Sequence, residues 1–428
     1  MELAPIVAPD TQGNTNTVVR DTAFVARQPI FDKRKTVRAY ELLFHSGTGA
    51  RSGGADADTS TLDLIASSLL VIGMDELTGQ KRGFINLTRN LLVRGIPDLL
   101  PSDLVTIEIA QDIPPDDDVL AACRKLRAAG YVIALDGFSL SGLDSPLLAL
   151  ADIVKVDFLA TPPADRARIA EHLDLRNIQA LAKNVETIED FDAGVAAGYA
   201  YFQGYFFSRP AIHAGNRISG NRLTQFRLLN EVCRPDVSYD DLENIIKKDV
   251  ALTYHLLRYI NSVWFALRYE VTGIKHALIV LGASEIRRWA ALMSIRNPCG
   301  NKPSELFLRS LTRARMCESL APYLGMTVNA SDLFLVGMFS VIDALLDMPM
   351  AEIVPKLPLA APVAQALEDR PGRFRTVKDA VVAYEKGDWE VFAANAEDLG
   401  MDTRIMPALF GESLRWANQA LGLILPSR

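Results

Sequence analysis

The chain changes its hydrophobic rhythm near residue 210. From Phe24 onward, short runs rich in β-branched and aromatic residues recur at 24–31, 37–44, 83–88, 104–109, 131–138, 153–158, 178–185 and 199–207. Runs of this length and composition predict strands. Between most of them lie amphipathic stretches such as 117–129 and 163–173, which predict helices. The second follows Pro162-Pro163, a pair suited to a helix start. Strand–helix alternation predicts a mostly parallel sheet with crossover helices. Eight strands in about 190 residues predict a compact TIM-like (βα) barrel. An open doubly wound sheet is the alternative, but its G-x-G-x-x-G first turn is absent.

Beyond Pro210 the β signal fades. Residues 216–233 read as a connecting helix, and apolar positions then recur at helical spacing in 242–246, 254–260, 274–281, 286–295, 306–320 and 333–346. Asn297-Pro298 and Pro349 punctuate these stretches, and Ser238 with Asp241 forms a capping pair ahead of Leu242. The pattern predicts an all-α domain. Residues 1–20 are polar and rich in Thr, Asn and Gly, which reads as a flexible tail. The boundaries that follow are a tail at 1–20, a barrel at 21–213, a connecting helix at 214–232 and a helical domain at 222–412, which overlaps that helix.

Composition narrows the class. Hydrophobic residues make up 49% of the 428, enough for large cores and too many for a mainly disordered chain. The four cysteines are scattered without a C-x-x-C pair, which excludes a disulfide scaffold or zinc ribbon and fits a reducing cytoplasm. The start lacks a basic stretch followed by an apolar core, so no signal peptide is expected. The longest apolar run, 333–342, stops at Asp343, short of the ~20 residues a membrane span needs. A cytoplasmic location follows. Residues 1–213 hold 20 Lys+Arg against 28 Asp+Glu, and the remainder 25 against 24. Neither half has the basic excess that bulk nucleic-acid binding needs.

In a βα barrel, functional side chains sit at the C-terminal ends of strands. Here those ends carry Glu41, Asn86, Glu108, Asp136, Lys155, Lys183 and Gln203. Three carboxylates and a carboxamide suit a hard divalent cation such as magnesium. Such ions polarise a phosphodiester and activate water. A lysine among them helps deprotonate that water or balances charge.

These residues carry a resemblance. Ala39-Tyr40-Glu41-Leu42-Leu43 resembles the signature of the EAL family of cyclic-di-GMP phosphodiesterases, with Leu42 at the family's Ala position. Phe84-Ile85-Asn86-Leu87, Ile107-Glu108-Ile109, Leu135-Asp136-Gly137-Phe138, Val154-Lys155-Val156-Asp157 and Tyr201-Phe202-Gln203-Gly204-Tyr205-Phe206 follow in the family's order. Ala182-Lys183-Asn184-Val185-Glu186-Thr187 matches its Ala-Glu-Gly-Val-Glu-Thr block. The likeness spans residues 22–212.

The departures are specific. The family's paired aspartates read Asp136-Gly137, and Lys183 stands at an acidic position. Gln111 replaces the glutamate that supports the catalytic loop in active members, and that loop's Gly-Thr-Gly reads Ser139-Leu140-Ser141. Phe44-His45 stand where active members have an arginine that contacts the nucleotide, and the family's Phe-Ile-Pro stretch is not recognisable in 46–60. Glu41, Glu108 and Asp136 against Lys155 and Lys183 leave one net negative charge, where the family's five carboxylates and one lysine leave four. That balance does not neutralise two dications. At ~4 Å two unit charges repel by ~4 kcal/mol at an effective dielectric near 20, and a dication doubles this. Lys183 therefore reads as an internal counter-ion.

The resemblance, with these departures, implies a barrel that is not an enzyme. Lys155 and Glu186 are vestigial catalytic positions, and Glu41, Asn86, Glu108, Asp136, Lys155 and Gln203 vestigial ligand-binding ones. A metal at Glu41, Asn86, Glu108 and Asp136 is not expected, because Gly137 and Lys183 replace acidic ligands; magnesium or manganese enters only with residual activity. Two alternatives stay open: a weak metal-dependent cyclic-di-GMP phosphodiesterase, or an effector that binds cyclic-di-GMP without hydrolysis. Against tight binding, the missing arginine removes a charge-assisted clamp worth roughly 1.5–3 kcal/mol per hydrogen bond.

The segments 228–232, 249–253, 256–262 and 274–282, extending to Ser294, resemble an HDOD domain, a helical signalling module related to HD-type phosphohydrolases. No His-Asp dipeptide occurs, and this half holds only His255 and His276, which excludes an HD metal site. Arg287, Arg288, Arg309, Arg313 and Arg315 read as a solvated face, with acidic partners as the alternative, and Trp264, Trp289 and Trp389 as core or interface residues. Together the halves resemble the bacterial EAL–HDOD class. The resemblance implies a non-enzymatic regulator in cyclic-di-GMP-related control of motility, biofilm or virulence. It implies protein partners, a signalling kinase or a regulator, held by the helical half, weak cyclic-di-GMP binding and a homodimer through the barrel.

Overall fold

The computed structural model describes residues 23–46, 72–208 and 238–424, with short gaps at 249, 262–264, 266–268, 270, 296–301 and 358. The tail at 1–20, the connecting helix at 214–232, Asn297-Pro298 and Trp264 lie outside the described residues. Strands β1 (Ala23–Asp32), β2 (Val37–Ser46), β3 (Arg82–Leu87), β4 (Val105–Ala110), β5 (Val132–Asp136), β6 (Ile153–Asp157), β7 (Gln179–Lys183) and β8 (Tyr201–Gln203) close into a barrel in chain order.

One strand departs from the parallel pattern. β1 runs antiparallel to both β2 and β8, while β2 through β8 are parallel. Only residues 33–36 separate β1 from β2, and parallel strands need a crossover of a dozen residues or more. The link is a tight turn in which Asp32 Oδ1 accepts from the Arg34 and Thr36 amides at 2.8 and 2.9 Å. Between later strands lie α1 (Met74–Thr78), α2 (Arg89–Val93), α3 (Asp117–Ala128), α4 (Pro163–Asp174) and α5 (Ile188–Ala196). Asp116 and Thr187 cap α3 and α5 by accepting from the Val119 and Asp190 amides.

The lumen has two layers. Ile30, Ala39, Phe84, Ala134, Ile153 and Leu181 pack together as an apolar plug. Along β1, β2, β4, β6 and β8, inward positions two residues nearer the strands' active-face ends carry polar side chains instead, because alternate residues share a face.

The second half is helical: α6 (Tyr239–Ile246), α7 (Val250–Ile260), α8 (Ile274–Ile295), α9 (Ser304–Leu320), α10 (Ala330–Phe339), α11 (Ile342–Leu346), α12 (Met350–Ile353), α13 (Ala361–Leu367), α14 (Arg373–Lys386), α15 (Trp389–Leu399) and α16 (Met406–Ile424). Ser238 caps α6 by accepting from the Asp241 amide at 3.3 Å. The segments 274–281 and 286–295 form one helix, kinked where Gly282 takes φ 72°. The segment 333–346 splits into α10 and α11 at Ser340-Val341. Among the described residues no helix is long and apolar enough to cross a membrane.

α9 is buried almost all round, although Glu305, Arg309 and Arg313 line one face at four-residue spacing. The expectation of a solvated arginine face fails for Arg309 and Arg313. Arg309 Nε lies 2.8 Å from Glu385 Oε1 and its guanidinium also donates to Ser208 of the barrel. Arg313 donates to Glu385 Oε2 at 2.7 Å and to Ser340 at 3.1 Å. Arg288 pairs with Glu285 and Glu318, and Arg315 with Glu318. Aromatic rings close the contact between the halves: Phe24 of β1 meets Tyr384, Trp389 and Phe392, and His45 stacks on Trp389 at 5.3 Å. Trp289 is fully buried in the helical core.

Burial alone raises the proton affinity of Glu385, but Arg309 and Arg313 outweigh it and hold the carboxyl below its ordinary value of 4.5. A depressed acid contributes stability above that pH and loses it as pH falls below. We expect Glu385→Ala, which strands two buried guanidiniums, to cost about 3–5 kcal/mol. Urea unfolding from pH 7 to pH 3 checks both points: Glu385→Gln should flatten the acid-side loss, and an unchanged slope would reject this assignment.

Candidate functional site

Lys155 stands in the centre of the lumen with no exposed surface. Its ammonium donates to Glu41 Oε2 at 3.0 Å and to Glu108 Oε1 at 2.7 Å. Glu41 Oε2 also accepts from Gln203 Nε2, which in turn donates to Gln28 Oε1 at 2.7 Å. Five residues from β1, β2, β4, β6 and β8 thus share one buried network. Gln203 reaches it because Gly204, at φ 151°, lets β8 close onto the segment after β7; a Cβ there would lie 2.1 Å from the Val185 carbonyl oxygen.

Asp136 and Lys183 form a second pair at the ends of β5 and β7. Lys183 Nζ lies 2.7 Å from Asp136 Oδ2, and the two side chains keep 27% and 16% exposure. Asn86, next to last in β3, lies opposite Glu108 and is exposed. Gly137 follows Asp136 at φ 71° with open space around a would-be Cβ. Only backbone strain therefore opposes a side chain there, and aspartate is among the residues that bear it best. Gln111 Nε2 donates weakly to Ser139 Oγ at 3.4 Å, and Ser139 and Ser141 share a hydrogen bond at 2.9 Å. Glu186 lines a cavity of about 560 Å³ between the halves, together with Tyr205, Arg309, Arg313 and Lys378. His45, at the family's arginine position, turns to Trp389 of the helical half, and burial lowers its proton affinity.

Electrostatics separate the groups. Burial, with the Glu41 charge beside it, pushes the Glu108 carboxyl up to about 8 despite Lys155. Burial disfavours the charge of Lys155, but Glu41, Glu108 and Asp136 outweigh it and hold the ammonium above its ordinary range. A lysine so held is a charge balancer, not a base. Burial also opposes ionisation of Asp136, yet Lys155 and Lys183 keep its carboxyl below the usual range.

Among the described residues no group of three or more His, Cys, Asp or Glu side chains forms a ready-made metal cage. Glu108 Oε2, Asp136 Oδ1 and Gln203 Oε1 are buried oxygens without a hydrogen-bond partner. Two of these are carboxylate oxygens, the donors a hard cation takes.

A family profile described as HDOD domain matches residues 223–366. Over 409 residues the chain is 34% identical to a Vibrio cholerae protein named cyclic di-GMP phosphodiesterase CdgJ, covering 94% of each chain. Over 406 residues it is 34% identical to the uncharacterized protein YuxH of Bacillus subtilis, covering 93% of this chain and 98% of that one. The chain belongs to the EAL–HDOD family. A solved structure, Klebsiella pneumoniae BlrP1 in complex with manganese and cyclic-di-GMP, overlays 44% of this EAL–HDOD protein and 56% of its own chain, at 25% identity and TM-score 0.38.

The CdgJ match overturns one expectation. An EAL–HDOD relative similar along nearly its whole length is named as a phosphodiesterase, so the reading of this chain as no enzyme does not stand. That reading weighed the missing carboxylates against a pair of dications. In the lumen Glu41 and Glu108 converge on Lys155, while Asp136 pairs with Lys183 at the rim.

Two partners escaped the sequence reading. Gln28 completes the lumen network from β1; its signal is a polar residue inside the apolar run 24–31. Arg27, its neighbour, faces the helical half, and no local signal distinguishes the two.

The two lysines should differ in energetic weight. We expect Lys155→Ala to cost about 3–5 kcal/mol, since it leaves the buried Glu41 carboxylate and Glu108 carboxyl without their shared donor. Lys183→Ala, at a partly exposed pair, should cost under ~1 kcal/mol. Equal losses in urea melts would reject this reading of the lumen.

Proposed function

We propose that this EAL–HDOD protein hydrolyses cyclic-di-GMP to the linear dinucleotide, using one divalent cation, magnesium or manganese, held by Glu41, Asn86, Glu108 and Asp136. The observation that carries the reading is the set of partnerless buried oxygens on Glu108 and Asp136, beside the Lys155-braced carboxylates at the strand ends. The name of the CdgJ relative supports it. Opening one phosphodiester adds a water hydroxyl to phosphorus and sends a proton to the departing ribose oxygen. A bound cation supplies charge stabilisation at the phosphoryl oxygens and lowers the proton affinity of water.

In this reading Lys155 fixes the spacing of Glu41 and Glu108. The Gln28 and Gln203 carboxamides hold the β1–β8 side of the lumen and orient Glu41. Lys183 restrains Asp136 and competes with the cation for it. The helical half docks protein partners, a signalling kinase or a regulator; the exposed Tyr254, Tyr269 and Ile279 support that role.

The test is incubation of the pure full chain with cyclic-di-GMP and manganese or magnesium, followed by chromatography. Cleavage that Glu41→Ala abolishes is the expected result. Binding without product under either metal would replace this reading with that of an effector. Lys183→Ala should tighten manganese binding roughly tenfold by removing a like charge. Unchanged manganese affinity in calorimetry would show that Lys183 does not compete.

A further inference from the structure

Two adjacent residues on β1 and two on β2 divide between the faces of the barrel wall. Gln28 and Glu41 lie opposite one another in the antiparallel ladder and belong to the lumen network. Arg27 and Tyr40, their chain neighbours, point the other way, as strand geometry requires. Outside the wall they meet the helical half. The buried Tyr40 hydroxyl donates to Glu305 Oε2 of α9 at 2.7 Å. The Arg27 guanidinium stacks 4.2 Å from the Tyr40 ring centroid and lies 3.8 Å from Glu305 Oε1. Its Nη1 also donates to the Leu77 carbonyl of α1 at 2.6 Å. Arg27, Tyr40 and Glu305 are each at most 7% exposed.

We propose that Tyr40 and Glu305 are positioning residues for Glu41, so that α9 of the helical half sets the place of the barrel's own carboxylate. The proposal rests on the reading of Glu41 as a cation-holding group. Its physical basis is that β2 is gripped on both faces at consecutive residues. Inside, Lys155 and Gln203 hold Glu41; outside, Glu305 holds Tyr40. A strand so held cannot slide or tilt without breaking a buried charged hydrogen bond on one side or the other. The helical half is then a structural part of the site. A displacement of α9 reaches Glu41 through one residue of backbone.

Tyr40→Phe in the full chain is the discriminating variant, since it deletes one hydroxyl and leaves the Arg27–Glu305 pair and the ring stack in place. We expect kcat to fall about tenfold and half-saturating manganese to rise about fivefold, with KM for cyclic-di-GMP within about twofold. Glu305→Gln keeps an acceptor for the Tyr40 hydroxyl and should rescue most of the loss seen in Glu305→Leu. A merely structural role would lower the melting temperature and leave kcat and manganese affinity at 20 °C unchanged; that result overturns the proposal.

Manganese calorimetry separates the two readings. If the wild-type chain binds manganese without cleaving cyclic-di-GMP, the phosphodiesterase reading fails, and a weakened affinity in Tyr40→Phe still supports positioning. If the wild-type chain binds no manganese, both fail.

Discussion

A single ammonium group organises the barrel. Lys155 lies wholly inside the lumen, where an unpaired charge would not be tolerated, and Glu41 and Glu108 must therefore converge on it. The requirement reaches outward along each strand. β2 has to present Glu41, β4 Glu108 and β6 Lys155 at one level, above an apolar plug that seals the opposite end. Gln203 joins only because Gly204 allows a backbone approach that a side chain would forbid.

The same rule governs the contact between the halves. α9 carries Glu305, Arg309 and Arg313 on one face, a pattern that in isolation suits water. In the folded chain each is buried and answered: Glu305 by Tyr40 and Arg27, Arg309 by Ser208 and Glu385, Arg313 by Glu385 and Ser340. Stacked rings around Phe24 and Trp389 exclude water from the rim of this contact. The barrel and the helical domain meet through buried charge pairs, and the lumen carboxylate Glu41 lies one residue along β2 from Tyr40.

Loss of the second aspartate at Gly137 and the change to Lys183 remove negative charge from the rim. The Glu41–Lys155–Glu108 centre is intact, and buried oxygens of Glu108, Asp136 and Gln203 are left without partners. The departures therefore alter the charge at the rim while the Glu41–Lys155–Glu108 centre persists.

Much of this was legible in the chain itself. Alternating and continuous apolar runs marked all eight strands within a few residues, and polar residues at their ends marked Glu41, Glu108, Asp136, Lys155, Lys183 and Gln203. Those signals are local: period-two side-chain alternation and turn chemistry act over a handful of residues. The reversed direction of β1 was also implicit in the short 33–36 link. What only the tertiary structure decided is pairing. Tyr40 meets Glu305 across 265 positions and Arg313 meets Glu385 across 72, and nothing in the local pattern separates a buried, answered arginine from a solvated one. Whether a charge on a helix faces water or a carboxylate depends on what packs against that face, and the whole fold settles that.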